Sequence, residues 1–226
     1  MIEMSQLART AIFHIIEEEG GFVYTDHPSD RDKGTYAGVR YKVFAEYYKI
    51  NISDTAEMTP LIYKEMAGRG VLKDIIIDIY YINYYQKLNI DKLPDVLKMP
   101  VFSCGVNTGT RRAGIILQRT VNEILHHRLG VQGGSVANFL KVDGIIGSKT
   151  IVVIEDMMYN HIIFEHNLAT PLDVEVRTRA LINLDKLRNT FIKNWFGRYF
   201  NVIHDVPNLS TFVNGWFNRA NKYWVL

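Results

Sequence analysis

From Leu7 to Ile16, the apolar residues Leu7, Ala8, Ala11, Ile12, Ile15 and Ile16 recur on one face of a helical period, which predicts an amphipathic helix. Ser5 is placed to cap its start and Gly20-Gly21 to end it. A second helix is expected from Thr59-Pro60, a capping residue followed by the proline that suits a first helical position. The apolar run from Val71 to Leu88 predicts a third. Arg111 to His127, Ser148 to Asn167, Val174 to Phe196 and Ser210 to Tyr223 predict later helices, with turn residues gathered in 130–147 and 202–207. Only Phe22 to Arg40 breaks this periodicity among the early segments and reads as irregular with some strand. The pattern therefore predicts a mainly α-helical chain with a small irregular or β segment after the first helix. A soft boundary near Met99-Pro100 divides it into 1–98 and 99–226. With no Pro/Gly-rich linker between them, the two parts are expected to pack together around a cleft.

Composition narrows the function classes. Of the 226 residues, 47% are hydrophobic and 22% charged, which is ordinary for a globular protein with a real core. The net charge of +2 is too balanced to argue for nucleic acid, although slight basicity suits a protein approaching an anionic cell wall. Cys104 is the single cysteine, so no intramolecular disulfide forms, and a reducing compartment is the simplest setting for folding. The Val71–Tyr85 stretch is interrupted by Lys73, Asp74 and Asp78 and falls short of the roughly 20 apolar residues of a spanning helix. Membrane insertion is not expected. The first residues lack the basic and apolar pattern of a signal peptide.

Candidate chemistry concentrates where the first helix ends. Glu17, Glu18 and Glu19 crowd the C-terminal turn, where the helix dipole and mutual repulsion both disfavour ionised carboxylates. A glycosidase needs such an acid, protonated near neutral pH, to protonate the leaving oxygen. Read alone, Glu-Gly-Gly is more often a solvated helix end with an ordinary glycine stop. The chain continues with Phe22-Val23-Tyr24, then Asp26-His27-Pro28-Ser29-Asp30, then Gly34-Thr35-Tyr36-Ala37-Gly38-Val39.

This order of motifs resembles glycoside hydrolase family 108, N-acetylmuramidases that hydrolyse peptidoglycan. The family pattern is Glu-Gly-Gly-aromatic, then Pro-x-Asp, a glycine-rich stretch, and Thr-x-x-Gly-aliphatic. Glu19 falls on the catalytic glutamate, and Pro28, Asp30, Thr35 and Gly38 fall on the other positions. Asp32 and Lys33 stand where the family usually has paired glycines, so the turn and its substrate contacts differ there. Val101 to Gly109 looks like the family's segment ending in Val-Asn-x-Gly. Val142-Asp143-Gly144 through Thr150 is similar to peptidoglycan-binding-like helical modules, and Gly215-Trp216-Phe217-Asn218-Arg219 to the closing Gly-Trp-x-x-Arg. Each later motif also has a purely structural reading, as a turn, a helix start or core aromatics.

The resemblance implies a lysozyme-like fold, a catalytic part at 1–98 and a peptidoglycan-binding-like helical part at 99–226. It implies hydrolysis of the β-1,4 bond between N-acetylmuramic acid and N-acetylglucosamine, with Glu19 as general acid. Asp30 is the preferred second carboxylate, Asp26 and Asp32 are alternatives, and Thr35 is a candidate to hold the attacking water. Tyr24, Tyr36 and Asn107 are candidate sugar contacts. Asn107 is equally suited to local capping, and Asp30 to an Asx-turn.

Neither a metal nor an organic cofactor is expected. The seven histidines include no His-Glu-x-x-His pair, and adjacent His126 and His127 face different ways on a helix. Cys104 sits in an apolar context that suits a buried thiol rather than a nucleophile. The expected partner is the glycan strand of peptidoglycan. An endolysin made in a host cytoplasm and released to the wall fits. A lytic transglycosylase, or a non-catalytic wall-binding or secretion-accessory protein, is the alternative.

Overall fold

The computed structural model describes residues 2–26, 34–47, 60–129, 140–165, 174–205 and 213–224. It has the expected lysozyme-like character: helices dominate, and a small antiparallel sheet follows the first of them. The chain forms two compact units, Met1–Gln86 and Lys87–Leu226. No helix among the described residues is long and apolar enough to cross a membrane.

In the first unit, α1 (Gln6–Glu18) starts where Ser5 Oγ accepts the Ala8 N–H and buries Ala8, Ile12, Ile15 and Ile16. Strands β1 (Tyr24–Thr25), β2 (Thr35–Tyr36) and β3 (Val39–Arg40) follow in spatial order β1-β2-β3. Next come α2 (Tyr41–Tyr47), α3 (Pro60–Gly68) and α4 (Lys73–Tyr80), which continues as a π-helical turn over Tyr81–Gln86. Helix α2 has no counterpart among the predicted helices, because Tyr41–Tyr47 is too short to display a period. The single helix predicted over 71–88 is an α segment followed by a wider turn. The core of this unit is aliphatic where α1 and α4 meet, with Phe44, Tyr63 and Tyr80 fully buried around it.

The second unit contains α5 (Asp95–Thr108), α6 (Thr110–Leu129), α7 (Ser148–Glu165), α8 (Val174–Asp205) and α9 (Val213–Asn221). Helix α5 has no counterpart in the sequence pattern either, and Pro100 lies inside it. The compact units divide at 86/87, and a boundary at 98/99 falls within this helix. Pro100 is tolerated because Leu97, Val101, Phe102 and Cys104 around it bury their side chains, and tertiary burial outweighs the local helix penalty. Helix α8 likewise runs past the expected stop at Phe196, carried by buried Phe191, Ile192, Trp195 and Tyr199.

Candidate active site

Glu19 is the C-cap of α1 and is half-buried. Gly20 N–H donates to Glu17 O at 3.1 Å and Gly21 N–H to Ile16 O at 2.9 Å. These paired bonds are a Schellman close, which needs a left-handed residue just past the cap, and Gly20 supplies φ +102°. The Glu-Gly-Gly string is therefore the geometry that stops the helix at Glu19 and turns the chain toward the sheet. The three consecutive acids do not crowd one place. Glu18 turns to His14, 3.4 Å away, with its side chain 4% exposed, while the carboxylate oxygens of Glu17 lie toward Gly21. Successive residues point about 100° apart around a helix, which spreads charges that look crowded in sequence.

The Thr-x-x-Gly motif is the β2–β3 hairpin. Tyr36 pairs with Val39, so Ala37 and Gly38 form a two-residue turn, with φ +50° and +75°. Positive φ at both positions matches the turn type that follows the right-handed twist of the flanking strands. Two buried phenols from the helices hold it: Tyr80 Oη donates to Ala37 O at 2.8 Å, and Tyr63 Oη to Val39 O at 2.9 Å. A β-carbon on Gly38 would stand 2.9 Å from Tyr80 Oη and 3.6 Å from Cβ and Cγ of Glu19. The glycine thus lets the stem of Glu19 lie directly against the hairpin.

Strand register sorts the remaining candidates onto two faces, since directly paired residues project to the same side. Thr25 pairs with Thr35 and Thr35 with Arg40, giving a polar face on which the two threonine hydroxyls are 2.6 Å apart. Tyr24, Tyr36 and Val39 form the opposite face. Tyr36 is 3% exposed and its ring meets Phe22, so it serves the core rather than presenting a surface to sugar. Tyr24 is half-buried, with its ring edge toward Tyr63 and its hydroxyl 3.4 Å from Pro60 O. The same hydroxyl occupies the space that a β-carbon on Gly34 would need, which favours glycine at that position. Asp26 is exposed beside β1, whereas Pro28, Asp30, Asp32 and Lys33 lie outside the described residues.

Two side chains that motif reading did not single out enter this neighbourhood, because Tyr84 feels the charges of both Glu19 and Arg40. Burial pushes the Tyr84 phenol above its usual pKa; the positive charge of Arg40 lowers it and the negative charge of Glu19 raises it. Tyr84 therefore remains a protonated donor within the electrostatic reach of both. It sits in the π-helical turn, beside Tyr80 with ring centroids 5.7 Å apart. Turns of this kind frequently accompany functional sites, because the extra residue re-aims side chains. Arg40 follows directly from Thr-x-x-Gly-aliphatic, where its place on β3 was the available signal. Tyr84 had no signal among the neighbouring Tyr80, Tyr81 and Tyr85, which look alike in sequence.

Asn107 belongs to the second unit and lies in the last turn of α5 rather than in a loop. Its Nδ2 donates to Ser103 O at 2.9 Å, and its Oδ1 accepts from Arg219. Both ends of the amide are thus used inside the protein. The Val-Asn-x-Gly and Gly-Trp-x-x-Arg motifs meet through this bond, while Trp216 stacks on Tyr199 at 5.1 Å and Phe217 on Phe196 at 5.0 Å. The Val-Asp-Gly motif has a comparable structural part. Gln118, buried on α6, donates to Asp143 Oδ1 and Ile145 O and accepts the Gly144 N–H. Asp143 also accepts from Ile145 N at 2.9 Å, closing an Asx-turn.

Comparison with known proteins places this geometry. The family model described as glycosyl hydrolase 108 matches residues 12–109, which include Glu19, the hairpin and Tyr84. No curated protein matches the sequence. Among solved structures, the chain is similar to SagA of Brucella abortus, at 20% identity and a TM-score of 0.59 over 96% of this chain and 91% of that one. At that identity the likeness speaks for the fold. Residues 12–109 thus match the glycosyl hydrolase 108 model, and that match supports a glycoside hydrolase of the peptidoglycan-cleaving kind.

Proposed function

We propose that this protein is an N-acetylmuramidase that hydrolyses the β-1,4 bond between N-acetylmuramic acid and N-acetylglucosamine, with Glu19 as general acid. The observation that carries the reading is the placement of Glu19: a half-buried carboxylate on a Schellman-closed helix end, its stem against Gly38, with Tyr84 in the electrostatic reach of both Glu19 and Arg40. A helix end held on both sides fixes where the proton is delivered. Glu19 gives its proton to the leaving glycosidic oxygen as the bond breaks. Arg40 compensates the carboxylate that remains, and the Tyr84 hydroxyl is available as a neutral donor to a sugar oxygen.

The oxocarbenium-like transition state then needs water delivered under base assistance or a carboxylate to stabilise it. Asp30 is the proposed second group. Thr35, paired with Thr25 on the polar face of the sheet, is the proposed anchor for the attacking water. In this reading the second unit holds the wall, and the protein acts as an endolysin that reaches the wall after release from the cytoplasm.

Mass spectrometry of purified peptidoglycan after digestion tests the proposal. Wild type should release muropeptides with reducing muramic acid ends. Glu19→Gln should lose about 100- to 10,000-fold in rate, the usual contribution of a positioned general acid. Anhydro-muramic ends would instead make the chain a transglycosylase, and undiminished cleavage by Glu19→Gln would remove Glu19 from the mechanism.

A further inference from the structure

Helices α6 and α8 of the second unit line an open cavity of about 680 Å³ that none of the family-like motifs accounts for. Arg112 and Arg119 line it from α6, and Arg198, Asn194, Gly197 and Phe200 from α8. The spacing of the arginines on α6 places both on one helical face, toward α8. Three arginines therefore line one cavity.

The only carboxylate among its lining residues is already engaged. Glu123 accepts from Lys193 Nζ at 2.5 Å and from Asn194 at 2.9 Å, and Asn194 also reaches Thr120 at 3.0 Å. Among the described residues, none of the three arginines forms an ion pair. The Arg198 Nε is buried and has no hydrogen-bond partner. Burial and then the like charge of Arg112 hold Arg198 below the usual arginine value, with Asp205 acting weakly in the other direction. Three arginines against one engaged glutamate, with Asp205 the opposing charge at Arg198, give the cavity a positive balance that favours an anion there.

The geometry points to a binding site for the carboxylates of peptidoglycan stem peptides in the α6–α8 cavity, with Arg198 and Arg112 as the principal contacts. This inference rests on the proposed wall substrate. Guanidinium groups pair with carboxylates through two parallel hydrogen bonds, and the cavity offers more than one such fork. Phe200, 62% exposed, and Ile115 add apolar surface beside the charges, which suits a short peptide with methyl side chains better than a bare phosphate. A β-carbon at Gly197 would meet nothing within 4 Å, so the α8 wall is open at that point. Such a site would let the protein hold the peptide arm of the wall while its other unit acts on the glycan.

Calorimetric titration of the full-length protein with a synthetic stem tetrapeptide bearing free carboxylates tests this. Wild type should bind, more weakly as salt rises, and amidation of the peptide carboxylates should weaken binding roughly tenfold or more. Arg198→Ala should lose a comparable factor. The double variant Arg112→Gln/Arg119→Gln changes only exposed side chains and should lose affinity while keeping the wild-type melting temperature. No binding by wild type, or equal binding by the double variant, would overturn the proposal. So would inorganic phosphate competing as well as the peptide, because the cavity would then be a phosphate site. Hydrolysis of peptide-free glycan by the wild type is followed in parallel. If it is absent the muramidase reading fails, while the peptide titration still decides the site.

Discussion

Gly38 is the position where a single atom separates support of the site from obstruction of it. Its φ of +75° costs an L-residue about 1–2 kcal/mol in the backbone alone. An added β-carbon would also press on Tyr80 Oη and lie against the stem of Glu19. Gly38→Ala should therefore lower the melting temperature and reduce glycan cleavage, both measurable on the same preparation. Retained activity would mean that the Glu19 stem does not depend on that contact. Cys104 illustrates the opposite case, a reactive residue type made inert. Burial pushes its thiol up to about 12, although a hydrogen bond with Thr108 pulls the other way. Only thiolate reacts appreciably, so alkylating reagents at about pH 8 should leave the native protein unlabelled and modify Cys104 on unfolding in denaturant. Rapid labelling of the native state would contradict this burial.

The element that organises the catalytic candidates is the β2–β3 hairpin, only two residues per strand. An isolated hairpin of that size is not stable in water, so its persistence comes from the helices that hold it. Tyr80→Phe removes the bond to Ala37 O and leaves a buried carbonyl without its partner, a loss of about 1–3 kcal/mol. The expected result is a lower melting temperature together with faster amide exchange in residues 35–40. Unchanged exchange there would show that Tyr63 and the bond from Ala37 N–H to Val23 O suffice. Helix α1 behaves differently, because its cap, its apolar face and its glycine stop all lie within a short stretch of sequence. Its limits were legible for that reason. Tyr84 was not, since the π turn that aims it arises where α4 meets the packing of the first unit.

At the scale of the molecule, the later motifs hold the second unit together. Asp143 accepts from Gln118 and from Ile145 N, and these bonds hold its carboxyl below the ordinary carboxylate value of 3.8. A depressed folded pKa contributes stability above the unfolded value, which is lost as pH falls through the folded one. Acid titration should thus weaken the second unit below about pH 4, and Asp143→Asn should flatten that dependence in a melting-temperature series. An identical acid limb in the variant would assign the effect to other carboxylates. Arg219 and Asn107 make a comparable tie between residues 112 positions apart, joining α9 to α5. The sequence showed two family-like motifs there without showing that they were one contact.

What the sequence determined by itself was whatever depends on neighbours along the chain. The helical character, the start of α1 at Ser5, its stop at Gly20-Gly21, and the special residues of the Thr-x-x-Gly turn are all local, because caps and turns satisfy backbone groups within a few residues. The motif order that led to the family is of the same kind. Tertiary structure decided which side of each element mattered. It sent Tyr36 into the core, used both ends of the Asn107 amide internally, kept Pro100 within a helix, and brought Tyr84 within the electrostatic reach of Glu19 and Arg40. Burial and electrostatics act through space and take no account of sequence separation, which is why no local pattern could announce them.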